Sequence, residues 1–528
     1  MLSLIFAYLL HYLLHIPCYG LYKKAGKEPT NVFIPLVQDF TLLEIIGRKK
    51  SHAYWGLVPY VNFLFGLTWT TDICNSFGKR AFWQHFIAIF AGYFYFPIIG
   101  FDKTTKYEGP SHINDKLAQE TSISKTKKIT KPILPKRSFA REWADAILFA
   151  VVAATIIRTF VIEAYKIPTT SMEGSLLAGD YLFVSKLNYG ARAPITPIAF
   201  PFAHHTMPFG LGKAYSTIVQ IPYFRLPCFE QVKRGDVVVF NYPGDALASP
   251  ERQIDYTDRP LDKRENYVKR CVAIGGDTML IKNKRLYINN IAQTQYKNMQ
   301  FSYIVYTKPN EPLSADVLEN IGLNWYNDLA DRSYSNNIGE PIAPIDALKA
   351  DYNSAISQNM VQLFLTNSQV EALSKQPNVL KVAPRDLPAI GGDLLFDVVA
   401  QKYNWSVDNY GSLIVPKKGW NVDLSNQENF DKYAKTIELF EHANAVVNGN
   451  QLFVNGQVVT SYTFKQDYFW MMGDNRHNSE DSRFWGFVPE DHVVGKPLFV
   501  WLSMDSFNAF FESIHWNRMF RSVTSLCK

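Results

Sequence analysis

Three short segments, far apart in the chain, carry residue types that could do chemistry together. Ser171 follows closely on an apolar stretch, and Lys269 lies within a strand-like run of apolar residues. A serine hydroxyl is too weakly acidic to attack a peptide bond unless a base takes its proton. The apolar neighbours of Lys269 are expected to bury its stem, which lowers the pKa of the amine and supplies a neutral base. These residues predict a serine nucleophile, Ser171, with a lysine base, Lys269.

The third segment, GDNRHNSEDSRFWG at residues 473–486, combines hydroxyl, acidic and basic side chains. Such groups can orient a lysine or hold an active site together, and the candidates are Ser479, Asp481, Arg483, Asp474 and Arg476. A histidine base is the alternative. No triad motif such as G-x-S-x-G surrounds the histidines of this part of the chain, which are His204, His205, His442, His477, His492 and His515. Taken singly, Ser171 reads as a turn residue and Lys269 as a solvated strand residue, so their joint occurrence carries the prediction.

Short β-rich runs surround both candidate residues and predict the element that positions them. Gly-Asp turns open the apolar runs 181–184 and 237–240, and another follows the run 272–274. Such runs favour an antiparallel sheet or barrel. Asn289-Asn290 and Asn455-Gly456 each follow an apolar strand, which indicates two hairpins. We therefore expect a mainly β catalytic domain of antiparallel sheets.

Four apolar stretches approach the ~20 residues that a helix needs to cross a bilayer. They are residues 2–22, 54–71, 82–100 and 144–164. A cleaved signal peptide fits the first poorly, since no basic residue precedes it and no A-x-A site follows. An alternative that stays open is that one of the first three stretches does not cross.

Basic residues set the expected orientation of these helices, because loops rich in Lys and Arg stay in the cytoplasm. They concentrate at 23–50 and at 103–141, where they include Lys125, Lys127, Lys128 and Lys131. The sequence thus predicts a multi-pass α-helical membrane anchor. Everything after about residue 165 is expected outside the cytoplasm.

These patterns divide the chain into five parts. Residues 1–143 form an N-terminal membrane region with three candidate transmembrane helices and basic cytoplasmic loops, and 144–164 form the helix that anchors the catalytic domain. Residues 165–292 are the first part of that domain, and 446–528 are its second part with a C-terminal tail. Residues 293–445, rich in Asn, Ser and Pro with helix-like stretches, predict an inserted α+β subdomain in which nothing looks catalytic.

Charge and cysteine counts argue against other classes of protein. Lys and Arg number 54 against 48 Asp and Glu, a net charge of +6, so nucleic-acid binding is not indicated. None of the five cysteines forms a CxxC pair or a zinc spacing, which indicates neither a disulfide scaffold nor a metal site. Cys228 and Cys271 either pair outside the cytoplasm or remain free thiols.

Residues 191–228, rich in Pro and Phe, either dip into the outer leaflet or form an ordinary excursion of the core.

The motifs together resemble those of bacterial type I signal peptidases, the membrane-anchored Ser-Lys endopeptidases that release exported proteins from their signal peptides. The resemblance covers about residues 144–292 and 446–505, and leaves out the first hundred residues and the insertion. The matching stretches are IPTTSM at 167–172, Gly179-Asp180 with Val184-Ser185-Lys186, KRGDVV at 233–238, YVKR at 267–270 and GDNRHNSEDSRFWGFVP at 473–489.

The resemblance implies a role for each candidate. Ser171 would attack the scissile carbonyl and Lys269 would take its proton. The Thr169 hydroxyl and the backbone N–H of Ser171 would form the oxyanion hole. The remaining roles are supporting: Ser479 would hydrogen-bond and orient the lysine amine, Asp481 and Arg483 would form an ion pair that holds the site, and Asp474 and Arg476 would stabilise the adjoining turn as scaffold.

The resemblance also implies the setting of the reaction. The substrates would be signal-peptide-bearing preproteins with small side chains at the first and third positions before the cut, and no cofactor is needed. The location would be the bacterial cytoplasmic (inner) membrane, multi-pass, with the catalytic domain on the extracytoplasmic side and the lipid bilayer as a partner. The extra N-terminal helices are open to two interpretations, contact with the secretion channel or passive anchoring.

The chain departs from the family pattern in three places. Gly174 and Ser175 stand where proline and threonine are usual, Gly275 replaces a proline, and His477 replaces an aspartate. A glycine beside the nucleophile is expected to loosen the backbone. None of these changes removes a residue in a chemical role, so we expect effects on local rigidity and on substrate range.

Two other functions stay open beside peptidase activity. One is a catalytically inactive, membrane-anchored β-rich binding or assembly protein that retains the fold. The intact set of candidate residues argues against it. The other is a self-cleaving Ser-Lys protease of the repressor kind, and the apolar stretches argue against that one.

Overall fold

The fold is described from a computed structural model of the chain. It describes residues 12–13, 15–57, 61–111, 139–204, 206–207, 212–243, 259–311, 313–323, 360–392, 394–441, 443–504 and 513–528. The chain divides into two compact units, Met1–Ala153 and Ala154–Lys528. The second unit carries every candidate catalytic residue.

Short helices pack around an apolar core in the first unit. The core includes Trp69, Leu43, Ile99 and Phe96, all of them buried. Arg48 Nε donates to Asp72 Oδ2 at 2.6 Å and ties two of the helices together. The helices are α1 (Tyr19–Lys24), α2 (Val37–Ile46), α3 (Val61–Ser76) and α4 (Phe82–Phe101), with 3₁₀ turns at Ile16–Cys18, Pro29–Phe33 and Lys50–Leu57.

Among the described residues, one helix is long and apolar enough to cross a membrane, α4 at Phe82–Phe101. It matches the predicted stretch 82–100. The stretch 54–71 does not form one helix as predicted, because Lys50–Leu57 is a 3₁₀ turn and α3 begins at Val61. At 1.5 Å per residue α3 is about 24 Å long, less than the ~30 Å of a hydrocarbon core. Most of the stretch 2–22 and most of the second basic loop lie outside the described residues.

The predicted helix 144–164 is wrong at its end. Helix α5 (Phe139–Phe160) stops earlier, and strand β1 (Ile162–Lys166) follows almost at once. Ile162 pairs with Ser185 and Ala164 with Phe183 in antiparallel register. Because Val161 and Ile162 are apolar, the sequence predicts a membrane helix here. Both are β-branched residues, which also suit the start of a strand.

The second unit is mainly β, as the sequence predicts. Its main sheet has the order β1-β2-β19-β3-β4-β17-β18, with all neighbours antiparallel. The remaining strands are β2 (Asp180–Ser185), β3 (Val237–Asn241), β4 (Asn266–Ile274), β5 (Thr278–Lys282), β6 (Arg285–Ile288), β7 (Ile291–Ala292), β8 (Phe301–Thr307), β9 (Met360–Leu365), β10 (Val379–Pro384), β11 (Tyr410–Ile414), β12 (Asn421–Asp423), β13 (Ala445–Asn448), β14 (Gln451–Val454), β15 (Gln457–Val459), β16 (Ser461–Thr463), β17 (Tyr468–Met472), β18 (Val488–Pro489) and β19 (Val493–Ser503).

Helices of the second unit are short and lie between or after the strands. They are α6 (Ala315–Asn320), α7 (Asn367–Ser374), α8 (Leu395–Lys402), α9 (Gln427–Phe440), α10 (Ser482–Trp485) and α11 (Val523–Leu526). Asp481 is the N-cap of the four-residue helix α10, and its side chain accepts from the Arg483 N–H. That cap fixes the conformation of the chain within the third motif.

Two strands at the centre of the main sheet, β3 and β17, are buried along their whole length. Every residue of β3 and of β17 is buried, because both faces of the sheet are covered here. A fully buried Val or Phe contributes about 1.5–3 kcal/mol relative to an exposed one. Strand β4 lies between β3 and β17, so its side chains are held from both sides.

The two predicted hairpin turns are confirmed. Asn289 and Asn290 have φ of 51° and 64°, and Asn455 and Gly456 have φ of 51° and 81°. They join β6 to β7 and β14 to β15. Positive φ at both central residues is the geometry that matches the twist of two-residue hairpins.

Residues 293–445, predicted as an inserted subdomain, divide into two parts. Strands β8, β9 and β10 form a sheet with its own apolar core around Leu363 and Leu365. The later part shares one core with the catalytic strands, in which Phe396 and Tyr410 pack with Trp470. Strand β11 also pairs with β5. Residue 445 is therefore not a packing boundary.

Candidate active site

Ser171 and Lys269 meet beside the centre of the main sheet. Ser171 lies in the turn region between β1 and β2, and Lys269 lies on β4 opposite Val238 of β3. The structure places Lys269 Nζ 2.5 Å from Ser171 Oγ, in a hydrogen bond between residues 98 positions apart. Only 8% of Ser171 and 4% of Lys269 is exposed. The sheet thus brings the predicted nucleophile and base into direct contact.

The surroundings of Lys269 favour the neutral amine. Burial lowers the pKa of Lys269 from 10.5 to about 8, because desolvation penalises the ammonium form. The carboxylates of Asp481 and Glu480 act in the opposite direction, and the Arg483 guanidinium lowers the pKa further. The amine is therefore available as a base near neutral pH.

Two hydroxyls flank the Ser171 side chain within the same segment. Thr169 Oγ1 is 3.4 Å from Ser171 Oγ, and Thr169 is exposed. Thr170 is buried, and its Oγ1 accepts from Asn478 Nδ2 at 2.9 Å. The described hydrogen bonds of Ser171 Oγ go to Lys269 and Thr169. None of the histidines that the structure describes is therefore in the position of a base.

The turn at residues 473–479 holds the backbone of the nucleophile segment. Asn475 N donates to Ser171 O at 3.1 Å, and Asn475 Nδ2 donates to Thr170 O at 3.3 Å. A Cβ added at Gly473 would meet both Ser171 O and Ser479 Oγ. The motif therefore needs glycine here, because the two segments approach too closely for a side chain.

The predicted ion pair of Asp481 and Arg483 is present, but Ser479 bonds differently from expectation. Arg483 donates from Nε to Asp481 Oδ1 at 2.8 Å and from Nη2 to Oδ2 at 2.7 Å. Ser479 Oγ donates to Asp481 Oδ2 at 3.0 Å. Within the described residues, no hydrogen bond joins Ser479 to Lys269. In this state Ser479 is oriented by the carboxylate rather than by the amine.

Asp474 bonds to an arginine whose role the sequence did not reveal. Arg270 donates from Nε and Nη2 to its two carboxylate oxygens at 2.8 and 2.6 Å, and Ser175 Oγ donates at 2.6 Å. Arg270 follows Lys269 on β4, so its side chain points to the opposite face of the sheet. The signal was present in the YVKR motif, but only the strand register shows which carboxylate the arginine reaches.

Arg476 is placed beside these pairs and is almost fully buried. Its exposed fraction is 5%, and its backbone oxygen accepts from Arg483 Nη2 at 2.6 Å. Its N–H donates to Gln300 O at 2.9 Å. The backbone of Arg476 therefore links the catalytic turn to the start of the inserted segment.

All three departures from the family pattern lie against the inserted segment. Gly174 has φ of 85°, and a Cβ there would meet the Asn298 carbonyl. A Cβ at Gly275 would lie 2.7 Å from Lys417 Cβ. Glycine at these positions permits the backbone to approach the inserted segment closely. At Gly174 this close packing replaces the loosened backbone that the sequence led us to expect.

His477 makes the third of these contacts, and it reaches both parts of the insertion. Its Nδ1 accepts from Ser302 N at 3.1 Å, so its Nε2 carries the proton and donates to Asp408 Oδ1 at 2.7 Å. Burial alone would raise the pKa of Asp408, but the hydrogen bond from His477 is the largest of the effects that lower it. Asp408 belongs to the stretch in which the sequence indicated no site residue.

Besides the dyad, the cysteines and any metal-ligating side chains are the other groups among the described residues that could do chemistry. All five cysteines are free, with Cys228 exposed and Cys271 buried. The searched part of the chain holds no group of three or more metal-ligating side chains. His205 and His442 lie outside the described residues.

Comparison with protein families gives two matches. Residues 140–319 and 421–502 match the family model described as signal peptidase, peptidase S26. Residues 31–110, in the first compact unit, match a family of unknown function (DUF5684). The S26 match covers the turn that carries Ser171 and the strand that carries Lys269, and it omits part of the inserted segment.

Several curated proteins named signal peptidase I are similar to the chain over most of its length. One from Buchnera aphidicola is 28% identical over 66% of this chain and 72% of its own. One from Haemophilus influenzae is 22% identical over 73% and 74%. One from Helicobacter pylori is 24% identical over 74% of this chain and 94% of its own.

Proposed function

The chain belongs to the signal peptidase S26 family, and we propose that it removes signal peptides from exported preproteins with a Ser171–Lys269 dyad at a membrane surface. It is a serine peptidase, a hydrolase. The observation that carries the dyad is the 2.5 Å hydrogen bond between Lys269 Nζ and Ser171 Oγ, with the amine buried.

In the proposed first step, Ser171 Oγ forms a bond to the scissile carbonyl carbon while its proton passes to the neutral Lys269 amine. The negative charge that develops on the carbonyl oxygen would be bound by the Ser171 N–H and the Thr169 hydroxyl. Preorganised donors of this kind are worth about 10²–10³-fold in rate each. The position of Thr169 Oγ1, 3.4 Å from Ser171 Oγ, supports this assignment.

In the second half of the reaction, the Lys269 ammonium gives the proton to the leaving nitrogen as the C–N bond breaks. The acyl group stays on Ser171 until water attacks it, with Lys269 taking the proton from water. The Asp481–Arg483 pair and the Asp474–Arg270 pair hold the two sides of the site. Asp481 also orients Ser479 beside the dyad.

The membrane location rests on the apolar helix and on an exposed apolar surface. Helix α4 has the length and composition of a membrane span. Apolar side chains around residues 198–229 are exposed, led by Ile218 at 90% and Phe224 at 57%. We infer a multi-pass anchor in the bacterial inner membrane, with this surface in the outer leaflet and the catalytic domain outside. The N-terminal helices would then be free to contact the secretion channel.

The direct test is cleavage of a purified preprotein with an Ala-x-Ala site, in detergent or lipid. The wild type is expected to cut after the second alanine. Ser171→Ala and Lys269→Ala should each lower kcat by at least about 10³-fold, since the two groups act as a unit. Product mass spectrometry fixes the cleavage position.

Lys282→Ala is the matched control, because Lys282 is an exposed lysine on the neighbouring strand β5. It should cut like the wild type. Good cleavage by Lys269→Ala would show that the base is misassigned. A wild type inert on several preproteins would favour the inactive binding protein.

A further inference from the structure

Arg476 is a buried arginine that forms no ion pair with any residue the structure describes. Its Nη1 lies 3.6 Å from Met472 Sδ, and among the described residues neither Nε nor Nη2 has a hydrogen-bond partner. Burial lowers the pKa of Arg476 to about 10, although Asp474 and Asp481 act in the opposite direction. A buried guanidinium left this way costs several kcal/mol unless something pairs with it.

The neighbouring carboxylates are already occupied by other arginines. Asp474 accepts both of its bidentate bonds from Arg270, and Asp481 accepts both of its bonds from Arg483. The cluster of these five side chains holds three guanidinium groups and two carboxylates. One positive charge, that of Arg476, is left over.

The Arg476 side chain lines a cavity of about 120 Å³. The walls carry four cationic side chains, Arg234, Arg270, Lys284 and Arg476, and no carboxylate. The other three cations are paired outside the cavity, Arg234 with Asp277 and Lys284 with Asp386. The Arg234 side chain is 45% exposed and lies at the mouth. The cavity is large enough for a ligand of several heavy atoms, since one water needs only about 10–15 Å³.

We propose that this cavity binds a small soluble oxyanion, of the carboxylate or phosphate kind, which pairs with the Arg476 guanidinium. The planar fork of an arginine matches two oxygens of such a group, and Nε and Nη2 of Arg476 have no other partner among the described residues. Gln293, Thr294 and Gln295 supply polar atoms to the same walls. The site lies on the face of β4 that carries Arg270, opposite the Lys269 amine.

The test is thermal unfolding of the purified full chain in detergent, titrated with sodium phosphate or sodium acetate against sodium chloride at equal ionic strength. Ligand that binds only the folded chain raises Tm in a saturable way. We expect a rise of about 1–2 °C at ten times Kd for phosphate, acetate or both. Arg521→Met, which removes an exposed arginine, should respond like the wild type.

Arg476→Met should show no response beyond that of chloride. A wild type that does not distinguish oxyanions from chloride would overturn the proposal, and so would an Arg476→Met variant with the full oxyanion response. If Arg476→Met does not fold, Lys284→Met is measured in its place, and at least a threefold weaker apparent affinity is expected. An unchanged affinity in Lys284→Met would then count against the site.

Discussion

The Lys269 amine has lost most of its solvation, and this sets the pH at which the residue can act. With a pKa of about 8, about a tenth of the amine is neutral at pH 7 and about nine tenths at pH 9. Because the neutral form is the base, kcat/KM should rise about tenfold per pH unit below pH 8 and level off above it. Initial rates on a soluble peptide substrate between pH 6 and 10 give the midpoint.

Glu480 offers a way to move that midpoint without touching the dyad. Its carboxylate raises the pKa of Lys269, and Glu480 itself is exposed. Glu480→Gln should therefore shift the profile to lower pH by a few tenths of a unit, since water and salt screen an exposed charge. A flat profile, or a midpoint near 10.5 in the wild type, would contradict a buried neutral lysine.

At the scale of elements, the residues around the active site pack closely against the inserted segment. Gly174, Gly275 and His477, the three departures from the family pattern, face Asn298, Lys417, Ser302 and Asp408 of the insertion. Tyr410 adds a hydrogen bond from its hydroxyl to Arg483 O at 2.9 Å. The insertion therefore supports the turn that carries Asn475 and Ser479.

His477→Ala should loosen this support. It removes the acceptor for Ser302 N and leaves the buried Asp408 carboxylate unpaired, so unfolding should become easier by about 1–3 kcal/mol. A turn displaced by a fraction of an ångström misplaces Ser171, and kcat should fall about 10- to 100-fold. Single-turnover cleavage and thermal unfolding of the same samples measure both effects.

A double-mutant cycle with Asp408→Ala identifies the contact responsible. We expect a coupling of about 0.5–3 kcal/mol between positions 408 and 477. Tyr403→Phe is the control, because the Tyr403 hydroxyl bonds to Asp431 within the insertion and away from the turn. Equal losses of kcat in Tyr403→Phe and His477→Ala would mean that general destabilisation explains the effect.

At the scale of the whole molecule, two stretches of the described residues expose many large apolar side chains: helix α4 and, in the second unit, the stretch between β2 and β3. Ile198, Phe200, Phe202, Ile218 and Phe224 are each about half exposed or more. Water disfavours so large an apolar surface, which marks an interaction site or a membrane contact. We interpret it as the surface that holds the active site at the bilayer.

Replacing Ile218 and Phe224 together by serine should affect cleavage of a membrane-embedded substrate but not cleavage of a soluble one. Cleavage of a preprotein embedded in vesicles should fall about tenfold, since each side chain loses part of the 1.5–3 kcal/mol of full burial. Cleavage of a soluble peptide in detergent should stay unchanged. Val446→Ser with Val458→Ser removes two similarly exposed side chains from β13 and β15 and is the control. An equal loss on both substrates would contradict a membrane role.

Short-range patterns were enough to predict much of the fold and of the site. The apolar runs and Asn-led turns predicted antiparallel strands and two hairpins, because alternation and turn chemistry are local. Ser171, Lys269 and the Asp481–Arg483 pair stand within motifs. Each could be named without knowing the register of any strand.

Contacts between distant segments could not be predicted in the same way. The pairing of Arg270 with Asp474 spans 204 positions, and that of His477 with Asp408 spans 69. Both depend on how β4, β17 and β11 align. The end of helix α5 was missed because β-branched residues at 161 and 162 suit a strand as well as a membrane helix. The shared core of residues 390–445 is likewise a property of tertiary packing.

The nucleophile segment and the turn that holds it are made at very different times. Asn475 is added to the growing chain some three hundred residues after Ser171, which at 5–20 residues per second is roughly 15–60 s. Until then Ser171 has no Asn475 amide on its carbonyl and no Gly473 turn against it. A chain still on the ribosome should consequently be inactive as a peptidase. Under the proposed membrane location, its N-terminal apolar stretches would enter the bilayer before the active site that could cut them is complete.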